Sequence, residues 1–156
     1  MKNIDDLDLN ILKILSKDCR ENKSNIAGKL KKSAHTIKKH IDQMEENGVI
    51  KNYEVQIDYE KLGYDIIALI ELTISKGMML DVERDIAHIP NIFGVYDITG
   101  SYDAMILARF KKRSELSELV KEINSYEYVV RTNTHLILNI VKEGTSFTDL
   151  LEYDKT

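Results

Sequence analysis

Residues 22–50 read NKSNIAGKLKKSAHTIKKHIDQMEENGVI, and this stretch decides the fold of the N-terminal third. Ser33 is a strong helix start, because its hydroxyl can accept a hydrogen bond from a free first-turn N–H. Ala34, Ile37, Ile41 and Met44 then fall on one helical stripe. Asn47-Gly48 ends the helix, since glycine tolerates the left-handed conformation that closes one. Upstream, Ser24 or Asn25 is the expected cap of a shorter helix carrying Ile26, Ala27 and Leu30. Further upstream, Leu7, Ile11, Ile14 and Leu15 keep helical spacing within residues 6–17. A short helix, a tight turn and a longer helix in succession form a helix-turn-helix arrangement.

The polar side of the third helix suggests what it contacts. At about 100° per residue, His35, Lys39 and Asp42 lie opposite the apolar stripe, with Thr36, Lys38, His40 and Gln43 on its flanks. Donors gathered in the N-terminal half suit base edges and phosphates in a DNA major groove. The acids Asp42, Glu45 and Glu46 come later, where such a helix leaves the groove. Ser33, His35, Thr36, Lys38, Lys39 and His40 are therefore the candidate DNA-binding residues. Net charge agrees. Residues 1–50 carry +2 and residues 51–156 carry −6, while residues 20–40 alone carry seven basic side chains against Glu21. A basic segment in an acidic chain implies a local polyanion contact. A solvated lysine face has the same composition, and the polarity along the third helix separates the two.

The remaining chain reads as α+β. Val49-Ile50, Tyr53, Val55 and Ile57 alternate as a short strand, followed by a turn or helical linker through Gly63. Strands are expected at 66–74, 95–99, 104–110 and 129–141. Helices are expected at 81–89, carrying Leu80, Val82, Ile86 and Ile89 and ended by Pro90, and at 114–124 with Ser114 as cap. The β-α-β-β-α-β order is the ferredoxin-like unit, an antiparallel sheet with both helices on one face. Yet the strands are apolar at both parities: Ile66, Ala68, Ile70 and Leu72 alternate with Ile67 and Leu69. Leu136, Leu138 and Ile140 likewise alternate with Ile137 and Val141. A half-solvated strand alternates apolar with polar, so the second sheet face is expected to be buried against a second copy. The expected domains are a winged helix-turn-helix over 1–52, a linker strand and turn over 53–63, and a second domain over 64–156.

Several classes are disfavoured. No apolar run approaches the ~20 residues of a membrane span, and the N-terminus has no signal-peptide pattern. A lone cysteine, Cys19, excludes an internal disulfide and any cysteine-rich zinc site. No phosphate-binding loop, His-x-x-x-His pair or nucleophile triad is recognisable. The expectation is a cytoplasmic, non-enzymatic chain with no metal or cofactor.

Motifs along nearly the whole chain resemble the Lrp/AsnC ("feast/famine") transcriptional regulators. They include Ile4-Asp5-Asp6-Leu7-Asp8, Ile11-Leu12, Arg20, Ile26-Ala27, Ser33, Ile37, residues 41–45, Gly48-Val49-Ile50 and Tyr53. Asp58, Leu62-Gly63, Thr99-Gly100-Ser101-Tyr102-Asp103, Arg131-Thr132 and Thr134 extend the match. The resemblance implies a sequence-specific DNA-binding regulator of operators, dimeric and often assembled into octamers, that responds to a small amino acid. It also places an effector pocket between dimers, near the Gly-x-Tyr-Asp turn, making Gly100, Tyr102, Asp103 and, from a neighbour or the same chain, Thr132 and Thr134 the candidate effector residues. Gly100 would let backbone N–H groups approach a carboxylate. Asp103 would meet the ammonium, and the threonines would add hydroxyls. Four positions depart from the family pattern. Lys31-Lys32 replaces a glycine and an aliphatic residue, His40 stands where arginine is common, and Tyr59 stands where proline is usual. Two alternatives share this fold or this surface. One is a siroheme decarboxylase-like enzyme, which would need a histidine or arginine cluster around a tetrapyrrole; the histidines available are His35, His40, His88 and His135. The other is a nucleoid-type architectural DNA-binding protein without an effector.

Overall fold

The computed structural model describes residues 4–75, 78–144 and 146–154. The chain divides into two compact units, Met1–Gln56 together with Lys142–Thr156, and Ile57–Val141. The sequence had grouped 142–156 with the second domain.

Helices α1 (Asp6–Leu15), α2 (Lys23–Leu30) and α3 (Ala34–Glu46) build the first unit. Their shared core is Ile11, Leu15, Ile26, Ala27, Ile37, Ile41 and Met44, each under a tenth exposed. Ala34, expected on the same stripe, is exposed instead, because the first turn of α3 overhangs that core. The cap of α2 is Asn22, whose side chain accepts from the N–H of Asn25, so the helix starts before Ser24. Lys31 closes α2 in the left-handed region at φ 52°, with Lys32 N–H donating to the Ala27 carbonyl at 3.0 Å. This closure normally uses glycine, which gives the Lys31-Lys32 departure a backbone consequence. Ser33 caps α3 as expected, accepting from Thr36 N–H at 3.0 Å.

No strand forms over residues 49–57. Val49, Tyr53, Val55 and Ile57 are all exposed. The alternation is real, but a strand needs a neighbour for its backbone groups, and this single chain supplies none there. A helix the sequence reading missed, α6 (Phe147–Tyr153), is capped by Ser146. Phe147 lines a groove of about 640 Å³ in the first unit, together with Leu12, Leu15, Cys19, Tyr53 and Val55.

The second unit is the ferredoxin-like sheet. Strands β1 (Ile66–Ile74), β2 (Ile92–Asp97), β3 (Ala104–Phe110) and β4 (Val129–Ile137) lie in the antiparallel order β2-β3-β1-β4. Helices α4 (Met79–Ala87) and α5 (Arg113–Asn124) cover one face. Val82, Ile86, Leu116, Leu119 and Ile123 pack there on Ala68, Ile70, Leu72, Ile106 and Phe110. The side chain of Leu80, expected on this face, lies outside the described residues. Several boundaries differ from expectation: α4 runs Met79–Ala87 where 81–89 was expected, and β2 ends at Asp97 where 99 was expected. Strand β2 begins at Ile92, and β4 stops at Ile137, opposite Ile67 near the start of β1, which extends only one residue further; Leu138 and Val141 are almost fully exposed. Ser114 does not cap α5: the Glu115 carboxylate accepts from Lys111 and Lys112 N–H at 3.0 and 3.3 Å, holding that end.

The opposite sheet face carries Ile67, Leu69, Met105, Leu107 and Ile137 at one end and a polar group at the other. There Glu71 accepts from Asn133 at 2.9 Å and lies 3.1 Å from His135 Nε2. These partners hold the Glu71 carboxyl below its ordinary value, His135 contributing most. The linker enters this unit through a 3-10 turn, Glu60–Leu62, ended by Gly63 at φ 83°. Tyr59 lies over the Arg109 guanidinium at 4.3 Å, and Phe93 holds the same group at 4.6 Å. The residue in the proline position therefore fastens the linker to the sheet by an aromatic contact.

Candidate functional site

Helix α3 exposes its N-terminal half with no acid in its first turn. His35 and Lys39 are exposed and make no hydrogen bond or ion pair among the described residues. Thr36 is half-buried, and its hydroxyl shares a 2.8 Å hydrogen bond with the Ser33 hydroxyl. Ser33 thus organises the first turn. Lys38 is paired with Asp42 one turn later, and Lys23 of α2 approaches the same carboxylate at 4.0 Å. The hydrogen bond that Lys38 donates to Asp42 raises the Lys38 pKa and, reciprocally, lowers that of Asp42. Glu45 accepts from the Tyr53 hydroxyl at 2.8 Å. Two of the three later acids, Asp42 and Glu45, are thereby engaged by neighbours, while the first half keeps free donors in His35 and Lys39.

His40 departs from the expected set. Its Nδ1 lies 2.7 Å from Asp8 Oδ1 and 3.9 Å from Asp5 Oδ1, and only a fifth of the side chain is exposed. A flank position on a helical wheel does not say which neighbour it meets; here that neighbour is the first turn of α1. His40 ties α3 to α1 and is turned away from the donor face.

In the second unit, Gly100 adopts φ 131°, a region that favours glycine. Asp103 is held in place. Its Oδ2 accepts from Ile74 N–H, and its own N–H donates to the Leu72 carbonyl, both at 2.8 Å. Tyr102 lies 5.0 Å from the Arg131 guanidinium, a contact the sequence did not single out. Thr132 is opposite Leu72 in the sheet register, on the helix-covered face, and bonds Asn124 of α5 at 3.0 Å. Thr134 shares that face and is exposed. Strand β1 lies between the turn and both threonines, and among the described residues no hydrogen bond joins them. Within one chain the turn meets Arg131 and not Thr132 or Thr134, which leaves the threonines of a neighbouring copy as the other expected source.

Within neither unit do the histidines converge. In the second unit, His88 caps the end of α4 on the covered side and His135 lies on the opposite sheet face. In the first, His40 points to α1 while His35 is exposed.

Two family profiles cover most of the sequence. The Lrp/AsnC ligand binding domain matches residues 67–147, and a winged helix-turn-helix DNA-binding domain matches residues 4–51. The chain belongs to the Lrp/AsnC family. It is 41% identical over 140 residues to an uncharacterized HTH-type transcriptional regulator of Pyrococcus furiosus, covering 90% of this chain and 95% of that one. It is 33% identical to the HTH-type transcriptional regulator LysM of Saccharolobus solfataricus, covering 87% and 94%. Escherichia coli AsnC shares the fold at a TM-score of 0.86 and 23% identity, covering 92% and 97%. A Neisseria meningitidis transcriptional regulator solved as an L-Met complex shares it at 0.83 and 20%, covering 92% and 96%. The protein is accordingly a transcriptional regulator with a DNA-binding domain and a ligand-binding domain. Among the described residues, no helix is long and apolar enough to cross a membrane.

Proposed function

We propose that this regulator reads operator DNA with the N-terminal half of α3. His35 and Thr36 address base edges, Lys39 and then Lys38 meet phosphates, and Ser33 fixes the first turn. The observation that carries this reading is the separation along α3: unengaged donors at its start, and later acids of which Asp42 is ion-paired and Glu45 is hydrogen-bonded. His40, committed to Asp8, stands outside the reading set. Two copies associate through the uncovered sheet face around Leu69, Met105 and Leu107, bringing two reading helices to two half-sites.

The effector is a small free amino acid bound at the turn 100–103. Backbone N–H groups beside Gly100 and the Arg131 guanidinium suit its carboxylate; the remaining oxygen of Asp103 suits its ammonium. The L-Met complex of the Neisseria relative supports this ligand class. Selection of bound sequences from random DNA by the full chain tests the DNA reading. A defined two-fold symmetric site is expected; an unenriched pool would favour the architectural alternative. A thermal-shift screen of the twenty amino acids tests the effector. Asp103→Asn, which keeps an acceptor for Ile74 N–H, should lose the response. A ligand that stabilises both forms equally binds elsewhere.

A further inference from the structure

Asp5, Asp8 and His40 meet where the first turn of α1 faces the middle of α3. The two aspartates cap the helix reciprocally. Asp5 Oδ1 accepts from Asp8 N–H at 2.8 Å, and Asp8 Oδ2 accepts from Asp5 N–H at 3.1 Å. That leaves Asp8 Oδ1 turned to His40 Nδ1 at 2.7 Å, with Asp5 Oδ1 3.9 Å from the same nitrogen. One donor atom from each of the three residues lies within 4.8 Å of the other two. Asp8 is 8% exposed, whereas over half of the Asp5 side chain is exposed, so the cluster is walled on one side and open on the other.

We infer that these three side chains form a binding site for a divalent first-row transition-metal ion. Bond lengths of about 2.0–2.2 Å to carboxylate oxygen and imidazole nitrogen put neighbouring ligand atoms roughly 3–4 Å apart. The observed separations need only small side-chain rotations to reach that range. The ion takes the place of the hydrogen bond between His40 Nδ1 and Asp8, with the neutral imidazole bound through Nδ1 and its proton carried on Nε2. Two carboxylates and a neutral imidazole offset its charge, and the open side leaves room for water ligands. The nitrogen donor favours zinc, cobalt or manganese over calcium or magnesium, and the absence of a thiolate in the set disfavours soft ions. Bound there, the ion fastens the start of α1 to α3 across 32 residues of sequence. The site lies wholly within the first unit and stands independently of the DNA and effector readings.

The full chain, stripped with EDTA and dialysed, is titrated calorimetrically with Zn²⁺ and Mn²⁺, and with Co²⁺ followed by its visible d–d absorption. One ion per chain is expected, with zinc tighter than manganese. His40→Arg keeps a positive partner for both aspartates without offering a ligand nitrogen. His40→Gln keeps the polarity and approximate reach. Either should lower zinc affinity about 100-fold or more while the helical circular dichroism is retained. Cys19→Ser should leave binding unchanged. Absence of saturable zinc binding at micromolar concentration would overturn the inference. So would binding that survives both His40 variants, or that is lost in Cys19→Ser.

Discussion

Salt dependence gives the sharpest reading of α3. Each phosphate contact contributes about 0.9 to the slope of log affinity against log salt. Lys39, exposed and unpaired among the described residues, stands for one such contact. Its loss in Lys39→Ala should flatten the slope by about 0.9. Over a salt range of about 50 to 200 mM, that is roughly a 3.5-fold smaller loss of affinity than wild type suffers. Removing Lys38 as well doubles the slope change if both meet phosphates, to about 1.8, or roughly 12-fold over the same range. Lys38, however, is held by Asp42 in the free protein. Asp42→Asn should therefore release Lys38, remove a negative charge from the DNA side and strengthen binding, most at low salt. Fluorescence anisotropy with a labelled duplex at several salt concentrations measures all three variants. A Lys39→Ala slope equal to wild type, or weaker binding by Asp42→Asn, would refute the placement of α3 against the phosphates.

Three further outcomes follow from local geometry. Lys31→Gly relieves a left-handed side-chain-bearing residue and should raise stability by up to about 1 kcal/mol in a denaturant melt; a loss of stability would mean that the lysine side chain holds the turn. Partial desolvation of the half-exposed Tyr53 and its hydrogen bond to Glu45 push the phenol up to about 12. A folded pKa above the unfolded ~10 contributes stability that is complete below pH 10 and is lost as the pH rises through 12. Tyr53→Phe should thus show a flatter decline across that window, and parallel curves would sink the assignment. Leu107→Glu, on the uncovered sheet face, should shift the full chain toward monomer in analytical ultracentrifugation; an unchanged distribution would place association on another surface.

What the sequence could not disclose depends in each case on a partner remote from the residue concerned. The limits of α3, β1 and β3 were legible because the signals are local: Ser33 before the helix, Asn47-Gly48 after it, and continuous apolar runs in the central strands. The 49–57 stretch carries strand alternation too, but pairing is a property of two strands, and the chain offers no second one there. Strand β4 ends at Ile137 for a similar reason, since the apolar pattern continues to Val141 while β1 extends only one residue beyond Ile67, the partner of Ile137. His40 sat on the flank of a helical wheel that has no knowledge of Asp8. Thr132 and Thr134 were grouped with the 100–103 turn through the family resemblance, whereas sheet order puts β1 between them. Helix α6 was legible and missed: Ser146 followed by Phe147, Leu150 and Leu151 is a capped apolar stripe.

The central claim is that side chains at the start of α3 read base sequence. It is tested most directly by comparing wild type with a His35→Ala/Thr36→Ala variant on the selected site and on a scrambled duplex of equal length. Base-edge contacts worth about 1–3 kcal/mol each predict that the variant loses at least several-fold of its preference for the selected site while its affinity for the scrambled duplex stays close to wild type. An undiminished preference in the variant would contradict the account.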